Sequence, residues 1–168
     1  IRDSATFVKA VGKAVPTDVY VSTSSWLNPV ELPRLHDTEA SYPILLDHFV
    51  VFDIDVPPFS QKNMEVARKY AVKVFAWMKD KTDYSFSHVT FSGSKGFHLF
   101  YHDLKREKFQ IPDPQLREET VRQSRKQLLE QAVADGLQID TKITADTRRI
   151  IRLPGTCLLY TSDAADDS

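Results

Sequence analysis

Apolar and polar positions along the chain change rhythm several times, and the sharpest change falls in residues 47–55. Phe49, Val50, Val51 and Phe52 run straight into Asp53-Ile54-Asp55, with Pro57 and Pro58 just beyond. An apolar run this short, bounded by prolines, reads as a buried strand. Side chains alternate along a strand, so Asp53 and Asp55 share one face. After Ser60, a good helix N-cap, the period lengthens. Met64, Ala67, Ala71, Val74, Phe75 and Met78 recur at helical spacing, which predicts a helix to about Lys79.

The same reading extends both ways. Phe7, Val8, Ala10 and Val11 predict a helix within residues 1–15, ended near Pro16. Residues 18–22 alternate and read as a strand, residues 23–29 as a loop, and residues 33–43 as polar and irregular. Residues 88–91 and 97–101 read as two strands around Ser92-Gly93-Ser94-Lys95-Gly96, a hairpin. Pro112 and Pro114 open a second long helix over 115–134, and Gly136 is its natural stop. Residues 137–140 follow, and 148–153 form a last strand. Helix, strand, strand, helix, hairpin, helix and strands predict an α+β domain, a mostly antiparallel sheet with helices packed on it.

Composition narrows the class. The chain has 168 residues, 42% apolar and 27% charged, as expected of one soluble globular domain. No apolar run is long enough for a membrane span and no signal-peptide pattern is present, so an intracellular protein is expected, in the cytoplasm or nucleoid if archaeal. The single cysteine, Cys157, rules out a disulfide framework and a cysteine-based zinc site. The first residue is Ile1, and residues 157–168 resemble the translation of a sequencing adapter. The expectation is therefore a natural segment over 1–156 followed by a foreign tail over 157–168. Without that tail the acids fall from 23 to 20 against 22 bases, and the formal charge moves from −1 to +2.

Three clusters carry candidate chemistry. Asp53 and Asp55 repel each other on one face unless a cation sits between them. A hard divalent ion suits such an oxygen set; the alternative is a strand end whose acids face water. Ser92-Gly93-Ser94-Lys95-Gly96-Phe97-His98 places a hydroxyl, a lysine and an imidazole beside glycines that allow close backbone approach. That is either a phosphate cradle or simply a hairpin turn. Asp140 with Arg148, Arg149 and Arg152 is the third, either phosphate ligands or a solvated face.

Taken together, Phe52-Asp53-Ile54-Asp55, then Ser92-Gly93-x-Lys95-Gly96-x-His98, then Asp140 followed by Arg152-Leu153-Pro154-Gly155-Thr156, resemble the catalytic subunit of the archaeo-eukaryotic DNA primases. The likeness spans residues 19–156, and Tyr20-x-Ser22 matches the Tyr-x-Ser strand near the start of that family. It implies a two-layer α+β primase catalytic core with an RNA-recognition-like, mixed or antiparallel sheet. It implies a DNA primase-type nucleotidyltransferase that makes primers on a single-stranded DNA template from nucleoside triphosphates, alongside a large primase subunit. In that scheme Asp53, Asp55 and Asp140 hold two Mg2+ or Mn2+ ions, while Ser92, Lys95, His98 and Arg152 hold the triphosphate.

The chain departs from the family in two places. Leu158 stands where the family usually has a histidine, and no cysteine lies between His98 and Asp140, where many members carry a zinc element. The second departure fits a leaner branch, such as the primase-polymerases or end-joining polymerases. Two other readings compete. Asp53-Ile54-Asp55-Val56 resembles the first motif of haloacid-dehalogenase-type phosphohydrolases, with Asp53 as nucleophile. The domain is otherwise an inactive relative that only binds nucleic acid.

Overall fold

The computed structural model describes residues 3–14, 16, 18–33, 41–93 and 95–153. Helix α1 (Ser4–Ala14) leads into strand β1 (Tyr20–Ser22), which pairs antiparallel with the last strand, β7 (Ile150–Arg152). Strand β2 (Ser24–Trp26) pairs with β3 (Leu45–His48). The main sheet holds β4 (Val50–Asp55), β6 (Gly96–Asp103) and β5 (Tyr84–Phe91) in that order, all antiparallel, with β6 in the middle. Helix α2 (Gln61–Lys79) connects β4 to β5. Helix α3 (Pro114–Ala134) follows β6, and a single turn, α4 (Thr141–Thr144), precedes β7.

The helices form where the pattern and caps place them. Ser60 Oγ accepts the Asn63 N–H at 3.1 Å at the start of α2, and Asp113 Oδ1 accepts the Leu116 N–H at 2.7 Å at the start of α3. Gly136 ends α3 in the left-handed region, φ 79°, and the Leu137 N–H reaches back to the Ala132 carbonyl at 3.0 Å.

The sheet has two unlike faces. On one, Val50, Phe52, Ile54, Leu99 and Tyr101 meet Ala67, Ala71, Val74 and Met78 of α2 and Leu128 and Leu129 of α3. That is the main core, and each such large side chain contributes ~1.5–3 kcal/mol by leaving water. The opposite face carries the remaining positions of the same strands, and the acids lie there. No helix among the described residues is long and apolar enough to cross a membrane.

Two local expectations need revision. The stretch 23–29, read as a loop, contains β2, because Ser24–Trp26 finds a partner strand far away in sequence. The apolar stretch 47–55 is not one strand. It changes sheets at Phe49, whose N–H bonds the Thr23 carbonyl at 2.9 Å.

Candidate functional site

Cross-strand partners in an antiparallel sheet share a face, so the register arranges the site in rows. Asp55 lies opposite Gly96. Asp53 lies opposite His98, which lies opposite Thr90. Val51 lies opposite Phe100, which lies opposite His88. On the outer side of β4, Asp140 forms a single antiparallel bridge with Asp53, its N–H donating to the Asp53 carbonyl at 2.9 Å. One continuous row therefore reads Asp140, Asp53, His98, Thr90. Asp53 and Asp55 sit two apart on this face, as the alternation predicts.

The two strand carboxylates differ in surroundings. Asp53 is 7% exposed and His98 9%. His98 Nε2 stands 3.4 Å from Asp53 Oδ1, and the ring's other nitrogen, Nδ1, is buried without a hydrogen-bond partner. Asp55 is exposed at the strand end, and the Ser92 hydroxyl donates to its Oδ1 at 3.4 Å. Although Asp55 is exposed, the desolvation it does undergo at the strand end raises its pKa, and the Asp53 charge raises it further. His98, Lys95 and Ser92 pull the other way without cancelling the rise.

The hairpin turn is built around Ser92. Its Oγ accepts the Lys95 N–H at 3.2 Å and the Gly96 N–H at 3.0 Å. Gly93 has φ 87°, a conformation that favours glycine. Gly96 packs directly on β4: a Cβ there would lie 1.6 Å from the Ile54 carbonyl oxygen. The turn is thereby clamped against Asp55, and Lys95 projects from it exposed.

Asp53, Asp55, Ser92, Lys95, His98 and Asp140 thus gather at one end of the face opposite α2 and α3. Arg152 is placed otherwise. Its Nη2 pairs with Asp18 Oδ1 at 3.0 Å, and its guanidinium lies over the Tyr20 ring, within the β1–β7 pair. Arg148 is spent on the Pro33 carbonyl at 3.0 Å and on the Trp26 ring, and the Arg149 carbonyl accepts from Thr23. Ser94, the 154–156 end of the Arg-Leu-Pro-Gly-Thr run, Leu158 and the 157–168 tail lie outside the described residues. Sequence reading missed Thr90 and His88, which reach this face only through the pairing of β5 with β6.

The expected two-ion Mg2+ or Mn2+ site is corrected. Among the described residues, no group of three or more His, Cys, Asp or Glu side chains is arranged to hold a metal ion. The two strand carboxylates are turned to other partners. Asp53 Oδ1 is turned to a buried imidazole, Asp55 leans on the Ser92 hydroxyl, and Asp140 joins β4 through its backbone. A hard cation needs several oxygens converging at about 2.0–2.6 Å.

The chain matches no family model, no curated protein and no solved structure.

Proposed function

We propose that this chain is the nucleotide-handling core of a primase-type nucleotidyltransferase, which joins nucleoside triphosphates on a single-stranded DNA template. One observation carries the reading: the row Asp140, Asp53, His98 lies beside the clamped Ser92–Gly96 turn that presents Lys95. A basic, glycine-bearing turn beside a cluster of acids is what phosphoryl chemistry requires, cations for the triphosphate and a proton acceptor for the attacking hydroxyl. The element order supports it too. Strand β4, α2, β5, β6, α3 and the Asp140 bridge follow the β-α-β-β-α-β order of a split βαβ fold, in keeping with an RNA-recognition-like core.

In this reading Lys95, exposed on its turn beside the His98 ring, neutralises the triphosphate. Asp53 holds the His98 ring in place, and Asp55, its pKa raised by burial and by Asp53, takes the proton of the attacking 3′-hydroxyl. The oxygen then bonds to the α-phosphorus, the α–β bridge breaks and pyrophosphate leaves. A raised carboxyl pKa suits a proton acceptor near neutrality. Such an enzyme works inside the cell beside a large primase subunit.

The test is extension of a primed single-stranded template by this chain, with nucleoside triphosphates supplied as magnesium salts, alongside calorimetric binding of the same triphosphates. Lys95→Ala is expected to weaken triphosphate binding about tenfold or more, the size of a lost charge-assisted contact. Asp55→Asn is expected to abolish extension while leaving binding in place. Hydrolysis of simple phosphate monoesters through Asp53, with no primer extension, would overturn the reading in favour of a phosphohydrolase.

A further inference from the structure

The face that carries Asp53 continues past the acids into a set of rings. His88 stacks on Phe100 with centroids 4.2 Å apart and planes 10° from parallel. Phe49 stands edge-on to both, 6.3 Å from His88 and 5.8 Å from Phe100, and His102 lies 4.8 Å from Phe49. Phe100 is buried beneath, packed with Val51 and Ile151, whereas His88 and His102 are exposed. With one face of the His88 ring covered by Phe100 and an edge held by Phe49, its exposure is left to the opposite face.

His88 reaches this position through a defect in the ladder. Phe86 pairs with Tyr101 and His88 with the very next residue of β6, Phe100, so Ser87 is an extra residue, a bulge. Phe86 consequently faces the helices, against Phe75 at 5.1 Å and Tyr101 at 5.4 Å, while His88, two residues on, faces the acids. In an unbroken strand both would share one face. Bulges re-aim side chains in this way and are over-represented beside active sites. The Ser87 hydroxyl, 2.9 Å from His88 Nδ1, then pins the ring.

We propose that His88, held by Phe100, Phe49 and Ser87, is a stacking platform for a base of the single-stranded nucleic acid, one row along the sheet from Asp53. The occupant is identified by chemistry. An exposed, rotationally fixed planar ring offers a π-face to any base, and stacking on aromatic side chains is how single strands are held without sequence preference. Continuity with the candidate site gives direction: successive rows lie about 7 Å apart, so a strand stacked here leads its next nucleotide towards Asp53 and the Lys95 turn. Partial desolvation, then the neighbouring His102, lower the His88 pKa, which favours the uncharged ring. The assignment of the strand as template rests on the nucleotidyltransferase reading above.

The experiment is fluorescence anisotropy of a short labelled oligodeoxythymidylate with this chain, repeated with an abasic sugar-phosphate oligomer of the same length. His88→Ala is expected to weaken oligodeoxythymidylate binding about tenfold, the usual size of one lost stack, and His88→Tyr to restore it. Binding of the abasic oligomer should be the same in all three proteins. Triphosphate binding at the Lys95 turn should not change in His88→Ala. Wild-type protein that ignores the oligodeoxythymidylate, an equal loss on the abasic oligomer, or no rescue by tyrosine would overturn the platform. A His88-dependent oligomer affinity without any triphosphate binding would keep the platform and overturn the nucleotidyltransferase reading instead.

Discussion

His98 Nε2 and Asp53 Oδ1 face each other at 3.4 Å across β6 and β4, their side chains only 11% and 10% exposed. Neither has much water to fall back on. Removing either partner strands the other in a dry place, which costs more than the contact itself contributes. His98→Ala and Asp53→Ala are therefore expected to be non-additive. A double-mutant cycle by urea unfolding should return a coupling of ~0.5–3 kcal/mol. Additive losses would show that the two groups do not sense each other.

Gly96 is where the turn is clamped to β4. Because a Cβ there meets the Ile54 carbonyl at 1.6 Å and Asp55 Oδ1 at 2.9 Å, Gly96→Ala must push β6 off β4. We expect a loss of more than ~3 kcal/mol, beyond the usual range for a point change, together with loss of triphosphate binding. Gly136→Ala is the control. It has open space around it but φ +79°, so only backbone strain of ~1–2 kcal/mol should appear. Similar losses for the two would remove the argument from close approach.

The far end of the sheet is held by a buried cation. Arg125, fully buried, donates from Nη1 to Asp103 Oδ2 at 2.5 Å, from Nη2 to the His48 carbonyl at 3.0 Å, and from Nε to His48 Nδ1 at 3.2 Å. Arg125→Met should cost ~3–5 kcal/mol, since it takes one of the two cations from the buried Asp103 and leaves it Lys108 and the Lys105 N–H. The same contact sets a pH window. Burial, then the Arg125 charge, push the His48 pKa down to about 3, below its unfolded value of about 6.5. Its contribution is complete above the unfolded value and is lost as pH falls towards the folded one. Tm should accordingly drop as pH falls from about 6.5 to about 3, and His48→Gln should flatten that slope. A wild-type Tm that is level across the window would refute the assignment.

Asp55 carries the opposite sign. Its folded pKa is raised by burial and by Asp53, so the fold favours its protonated form. That contribution is present below the unfolded carboxyl value and lost as pH rises through the folded one. Once ionised, Asp55 is a local strain, so Asp55→Asn should raise Tm at pH values above the folded pKa of Asp55, with the gap closing as pH falls below it. An Asn variant less stable than wild type above that pKa would mean that the carboxylate is held by contacts stronger than its repulsion from Asp53.

Much of the scaffold was legible along the chain because it depends on near neighbours. The cap at Ser60, the turn at Gly136 and the two long helices follow from local hydrogen bonds, prolines at a helix start and apolar periodicity, whereas the Asp113 cap emerged only in the structure. The hairpin at Ser92–Gly96 follows from glycine and serine in a short link between apolar runs. Strand β2 was not legible: its three residues carry no alternation of their own and pair with β3 some twenty residues away.

That Asp53 and Asp55 share a face could be read from the chain alone, because alternation along a strand is a property of the backbone. Which atoms those carboxylates meet was decided by the tertiary structure alone. Register across β4 and β6 put a buried imidazole against Asp53, where the resemblance had implied a carboxylate ligand to a pair of cations. Pairing on the other side of β4 brought Asp140 alongside, and pairing of β7 with β1 drew Arg152 to Asp18. One unpaired residue, Ser87, turned His88 from the helix side to the face of the acids. Each of these outcomes depends on contacts between residues distant in the chain, and no local pattern encodes the register that creates them.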